Sequence, residues 1–261
     1  MERSIKTLCF AFFCLAVSSC NERPKEEEPT TIPERNAYLI ELVKRGDFDR
    51  VRKIIDRDKT LARIRRPIGD VPLICFAAVN GHVKIVNYLL DMGADVNASA
   101  DSGIPPLHRA VDQGDLAMVR TLLRHKADVN ARNKCKQTPL HYTLIDKSPE
   151  IVELLISVGA DVSVKDDQGR TPLHRCKKVY VARSLVSAGT DVNAKDDMGR
   201  TAIHLAALPR EIVDKSTITY LLSQGADINT KDIEGLTPYE LAKKNKKYTL
   251  ILILDAYVIR R

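Results

Sequence analysis

The chain has 261 residues, 44% of them apolar and 29% charged, a composition that excludes wholesale disorder and a polytopic membrane protein and leaves one large domain or two small ones. It has no Trp, 5 Phe and 8 Tyr, so the core has to be built from Leu, Ile, Val and Ala, which suits stacked helices. The formal charge of +7 favours anionic over cationic partners and decides nothing more.

Residues 1–20, MERSIKTLCFAFFCLAVSSC, place Arg3 and Lys6 before an unbroken apolar run from Leu8 to Val17 and close on small residues. A charged start, a short apolar stretch about half the length of a membrane span and a small-residue exit predict a secretory signal peptide over residues 1–19. The exit Val17-Ser18-Ser19-Cys20 resembles the lipobox of bacterial lipoproteins. That resemblance implies that Cys20 is the lipid attachment site, holding the chain to a membrane through its acylated N-terminus; cleavage near Ser19 would instead release a free exported protein. Residues 20–35 carry three Pro, the run Glu26-Glu27-Glu28 and almost nothing apolar. Too little surface can be buried there to offset the entropy of ordering, so the segment is expected to be a flexible tether.

From residue 36 the chain repeats. Thr138-Pro139-Leu140-His141 recurs as Thr171-Pro172-Leu173-His174, 33 residues on, and again as Thr201-Ala202-Ile203-His204. Pro105-Pro106-Leu107-His108 and Pro72-Leu73-Ile74-Cys75 keep the same step upstream, and Thr237-Pro238-Tyr239-Glu240 opens a last unit. A second motif runs in phase, from Gly93-Ala94-Asp95-Val96-Asn97 to Gly225-Ala226-Asp227-Ile228-Asn229. Thr before Pro is an N-cap followed by the residue best suited to the first helical position, and a His three residues later can close a reciprocal bond. A short apolar helix comes next, then a turn at Gly81 or Gly114, then a second helix with apolar residues at helical spacing, such as Val83, Ile85, Val86, Leu89 and Leu90. The Gly of the second motif stands where that helix would end in a left-handed residue; Lys126 occupies this place in its unit and is expected to be strained there.

These two interleaved motifs resemble the ankyrin repeat, and the resemblance covers nearly everything from residue 36 to 261. It implies an all-α solenoid with short loop hairpins, of about seven helix-turn-helix units including caps: about 36–66, 67–99, 100–132, 133–165, 166–195, 196–231 and 232–261. Two units depart in length. Thr171 to Asp191 spans 20 residues and Thr201 to Asp227 spans 26, against 23 from Thr138 to Asp161, so one inter-helix turn is expected to be lost near 176–178 and one extended near 208–215.

Chemistry finds no foothold. His108, His141, His174 and His204 share one repeat position and so lie in a row with roughly 10 Å between neighbours, too far apart to hold one ion. Cys75, Cys135 and Cys176 fall in different units, and no phosphate-cradling loop or nucleophile elbow occurs. No catalytic residue, metal or cofactor is therefore expected, and the chain does not read as an enzyme. The basic clusters at 63–66 and 243–247 lie at opposite ends without interleaved aromatics, so nucleic acid is not an expected partner.

In the family resembled, loop tips and inner helix faces form a concave groove that binds proteins. Carried over by register, the protein-binding candidates are Lys134 and Gln137; Asp167, Gln168 and Arg170; and Asp197, Met198 and Arg200. The expected function is that of an exported, membrane-tethered scaffold for protein binding in the bacterial envelope, on the outer or inner membrane and facing the periplasm. The alternative is a periplasmic inhibitor or immunity-type protein that caps a toxic or secreted enzyme. A monomer is expected, with the apolar last unit, 232–261, as the place where copies could associate.

Overall fold

The computed structural model describes residues 31–67, 69–100, 103–143, 149–209 and 211–259; the expected leader, Cys20 and the tether up to residue 30 lie outside the described residues. The described chain is a two-layered stack. The inner layer holds the first element of each unit and the outer layer the second.

The first unit is α1 (Ile32–Arg45) and α2 (Phe48–Arg57), followed by a 3₁₀ segment (Lys59–Arg63). The second is α3 (Leu73–Val79) and α4 (Val83–Asp91), and the third is α5 (Pro106–Gln113) and α6 (Leu116–Arg124). The fourth and fifth open on 3₁₀ turns, Pro139–Tyr142 and Pro172–Arg175, and continue with α7 (Pro149–Ser157) and α8 (Val179–Ser187). The sixth is α9 (Ala202–Ala206) and α10 (Lys215–Ser223), and the seventh is α11 (Pro238–Lys244) and α12 (Tyr248–Ile259). The outer helices pack in the order α2, α4, α6, α7, α8, α10, α12, and the inner elements stack likewise. One continuous aliphatic core runs between the layers, as expected of units that bury their faces only against neighbours.

Three details depart from the sequence reading. Helix α1 begins four residues inside the segment read as a tether, because the Thr31 hydroxyl caps it, accepting from the Glu34 amide at 3.4 Å, and Pro33 sits in its first turn. The inner elements of the fourth and fifth units are short 3₁₀ turns in place of α-helices. In the fifth, the missing residues leave Cys176 extended and α8 starting at Val179. Among the described residues a paired-strand hairpin occurs only between β1 (Arg65–Arg66) and β2 (Val71–Pro72), antiparallel with Arg65 opposite Pro72. The later tips are hydrogen-bonded turns.

The two length changes compensate each other. The long turn of the sixth unit, 207–214, lies over the short turn of the fifth: the Lys177 carbonyl accepts from the Asp214 amide (3.2 Å) and from the Thr217 hydroxyl (3.1 Å). Lys177 and Lys178 pair with Glu211 and Asp214, both at 3.3 Å. Three residues lost in one unit and gained in the next thus fill one notch.

Lys126 has φ +64°, the left-handed conformation that Gly93, Gly159, Gly189 and Gly225 adopt at the same place. Its amide bonds Leu123 O and that of Ala127 bonds Leu122 O, the pattern of a Schellman C-cap. A side chain in that conformation is strained, so Lys126→Gly is expected to stabilise the protein by about 1 kcal/mol; an unchanged melting temperature would remove this account of the position.

Candidate functional site

The tips between units are built around a buried anchor. In the fifth unit one Asp166 carboxylate oxygen accepts from the amides of Gln168 (2.9 Å) and Arg170 (3.0 Å). Asp196 does the same for Met198 (2.9 Å) and Arg200 (2.8 Å), and Asp232 for Glu234 (2.9 Å) and Leu236 (3.0 Å). Burial alone would raise the pKa of Asp166 and Asp232, but the donated amide bonds, joined at Asp232 by Arg200, outweigh it and hold both carboxyls below their ordinary value. In the fourth unit Asn133 substitutes: its carbonyl oxygen accepts from the Gln137 amide (2.9 Å) while its amide nitrogen donates to Gln137 Oε1 (3.2 Å) and the Tyr142 hydroxyl (2.9 Å).

Successive tips are also bonded to one another. The amides of Asp167, Asp197 and Ile233 donate to the carbonyls of Cys135 (2.9 Å), Gln168 (3.0 Å) and Met198 (3.0 Å) in the preceding tip. The approach is close enough to require a left-handed glycine at the turn. A Cβ on Gly169, at φ +71°, would stand 2.7 Å from the Asp197 amide nitrogen. Lys136 adopts the same left-handed turn conformation, φ +57°, in its own tip.

The histidine row lies just beneath. Nδ1 of His141, His174 and His204 accepts from the amide of Thr138, Thr171 and Thr201, each at 3.1 Å, and from the same residue's hydroxyl at 2.9–3.0 Å. Each ring is thereby left with its hydrogen on Nε2, which donates to the carbonyl of Arg170 (2.9 Å), Arg200 (2.9 Å) or Leu236 (3.2 Å) in the next unit. His108 donates likewise to Gln137 O (2.9 Å), but its Nδ1 is buried without a partner, since Pro105 takes the place of the Thr and has no N–H. Burial lowers the pKa of all four, that of His108 to about 4. These are neutral struts between units.

The sequence-derived candidates separate in the structure. Lys134, Asp167, Gln168, Asp197 and Met198 are exposed on the tips, and Gln137 is half-buried with its amide group held by Asn133. The two arginines are committed to the stack. Arg170 reaches Asp196 at 3.5 Å, while Arg200, its side chain only 13% exposed, bridges Asp232 and Glu234 at 3.2 Å each. Both clamp one tip to the next, and little of Arg200 is left to meet a partner. The anchors Asn133, Asp166, Asp196 and Asp232 are missed by the sequence reading, although each stands three residues before the left-handed turn residue; that spacing is the available signal.

Elsewhere, Cys75 and Cys176 are buried, with thiols pushed up to about 11 and about 12, so both are protonated and unreactive at neutral pH. Cys135 is a free thiol, exposed on its tip. Among the described residues no group of three or more His, Cys, Asp or Glu is placed to hold a metal ion, and no helix is long and apolar enough to cross a membrane.

Comparisons with known proteins agree with this architecture. A family model of three ankyrin repeats matches residues 39–133 and 107–196, and a single-repeat model matches residues 198–233. Alpha-latrocrustotoxin-Lt1a of Latrodectus tredecimguttatus is 35% identical over 65 residues, 25% of this chain and 4% of the toxin. Ankyrin repeat and MYND domain-containing protein 1 of Mus musculus is 36% identical over 69 residues, 26% of this chain and 8% of that protein. The match thus spans less than a tenth of either relative's length. The crystal structure of the ankyrin repeat domain of Bcl-3, described as a unique member of the IkappaB protein family, superposes with a TM-score of 0.68 at 26% identity, covering 83% of this chain and 97% of that one. With capped inner elements, bonded tips and family models that span residues 39–196 and 198–233, the chain belongs to the ankyrin-repeat family, whose stacked units are scaffolds for protein–protein interaction.

Proposed function

We propose that this protein is an exported ankyrin-repeat module, tethered to a membrane of the bacterial envelope through acylated Cys20, that holds a protein partner on its tips and groove. The observation that supports binding at the tips is a division of labour. Buried Asp anchors and inter-tip amide bonds make the backbone rigid, while Lys134, Asp167, Gln168, Asp197 and Met198 are left exposed on it. A backbone preorganised in this way loses little freedom on binding. Export and tethering rest on the sequence of residues 1–20, with the charged start, the apolar run and the exit at Cys20.

Two measurements test the reading. Metabolic labelling with a fatty acid is expected to mark the chain and to be lost in Cys20→Ser; equal labelling of that variant would remove the anchor. Crosslinked capture from envelope fractions is expected to lose its specific partner in Asp167→Ala plus Asp197→Ala plus Met198→Ala, at an unchanged melting temperature. Arg170 and Arg200 are unsuitable for that test because their loss would weaken the stack itself. A captured partner indifferent to the triple substitution would place the binding surface elsewhere.

A further inference from the structure

The inner layer carries one half-buried side chain per unit at the position that follows the histidine row: Phe76, Arg109, Tyr142 and Arg175, with Leu205 next in phase and buried. Because α3, α5 and the two 3₁₀ turns stack in order, the four form a ladder along the groove, ring alternating with guanidinium. Three of the rungs are already engaged. Phe76 lies between two cations, with Lys44 Nζ 5.4 Å and the Arg66 guanidinium 5.5 Å from its ring centroid. Tyr142 meets the His108 ring edge to face at 5.4 Å, and its hydroxyl accepts from Asn133 at 2.9 Å. Arg175 pairs with Asp166, the buried anchor of its own tip, at 3.6 Å.

Arg109 is the exception, and the repeat explains it. Two periods before Asp166 stands Ala100, so the third unit has no anchor carboxylate; among the described residues Arg109 pairs with none, Asp112 on the next turn of α5 included. Its charge is felt instead at the Cys75 thiol of the second unit, where it opposes the rise that burial imposes. A half-buried guanidinium between Phe76 and Tyr142, with Lys44 and Arg66 beyond, offers planar bidentate bonding to a carboxylate. The pitch of the ladder selects the shape of its ligand. Stacked elements set successive rungs roughly 10 Å apart, and a polyproline II strand presents the same face every third residue, about 9 Å on. We propose that the groove between the second and fourth units takes an extended acidic segment of the protein partner, its carboxylate on Arg109 and apolar side chains three residues to either side on Phe76 and Tyr142. This rests on the partner-binding reading above and gives the groove its ligand chemistry.

The probe is the rhodamine-labelled peptide Leu-Pro-Pro-Glu-Pro-Pro-Leu, both ends capped, titrated with the full chain and read by anisotropy. Binding is expected to weaken with salt and to fall by about tenfold or more in Arg109→Gln, at an unchanged melting temperature, since a charge-assisted bidentate contact is lost. Replacing the peptide Glu by Gln should cost as much, and inserting one residue on each side of that Glu should abolish binding by breaking the three-residue step. Arg120→Gln, at an exposed position of α6 in the outer layer, should leave binding unchanged. No binding at submillimolar protein overturns the proposal, as do equal losses in Arg109→Gln and Arg120→Gln or an inserted peptide that binds as well as the original. Binding that appears only in Glu26→Gln plus Glu27→Gln plus Glu28→Gln also overturns it, and assigns the groove to the chain's own acidic run. Envelope capture separates this failure from that of the partner-binding reading. A partner lost in the triple tip substitution but kept in Arg109→Gln leaves that reading standing and removes the acidic segment; a peptide that binds as expected beside a capture indifferent to the tips keeps the groove and overturns the tips.

Discussion

Unfolding resistance is expected to fall steeply as the pH drops from 6.5 towards 4. The four buried histidines are neutral in the folded chain, each holding Nε2–H on a carbonyl of the next unit. Their folded pKa values lie below the unfolded value of 6.5. Between the two values the unfolded chain binds protons that the folded chain refuses, so stability is complete above about 6.5 and is lost progressively below it. For His108, fully buried and lowered to about 4, the loss is about 2 kcal/mol at pH 5. The other three add to it, because a second ring proton would sit on Nδ1 facing the Thr amide and hydroxyl that now donate to it. Urea midpoints at pH 7.5 and pH 5 measure the effect; equal midpoints would mean that these rings accept a proton without disturbing the stack.

A comparably large loss is expected from one core truncation. Leu122 on α6 is fully buried, and its carbonyl also receives the Ala127 amide that closes the helix. Leu122→Ala removes contacts near the middle of the stack and leaves a cavity that rigid neighbouring helices fill poorly, at about 3 kcal/mol. Because each unit is stabilised only by its neighbours, the loss is expected to uncouple the two ends, so that unfolding proceeds in two steps where the parent shows one. Val158→Ala, at a half-exposed position just past the end of α7, is the comparison and should stay within about 0.5 kcal/mol of the parent. A single transition with an unshifted midpoint for Leu122→Ala would contradict this picture.

Much of the architecture is legible because the repeat writes the same local instructions several times. The Thr-Pro-Leu-His step predicts N-caps closed reciprocally by the His side chain, and Thr138, Thr171 and Thr201 show that bond. The strained left-handed Lys126 is readable from the glycines in phase with it. Less legible is the state of the inner elements. In the fifth unit the lost residues bring α8 forward to Val179, but the fourth unit, as long from motif to motif as the third, also opens on a 3₁₀ turn where the third forms α5, a difference that no length count shows. The tip arginines mislead for a related reason. Arg170 and Arg200 have the side-chain type favoured at interfaces, yet the carboxylates that claim them, Asp196 and Asp232, belong to the next tip, a unit away in sequence.

By itself the sequence determined the repeat, its period, its capping chemistry and the aliphatic core, since these rest on interactions within a few residues or on a pattern repeated in phase. Tertiary structure alone decided which polar groups remain free. The ion pairs between tips, the histidine struts and the turn at 207–214 that fills its neighbour's notch all join residues 26 to 40 positions apart. Only the stacking of one unit on the next brings such residues within hydrogen-bonding distance.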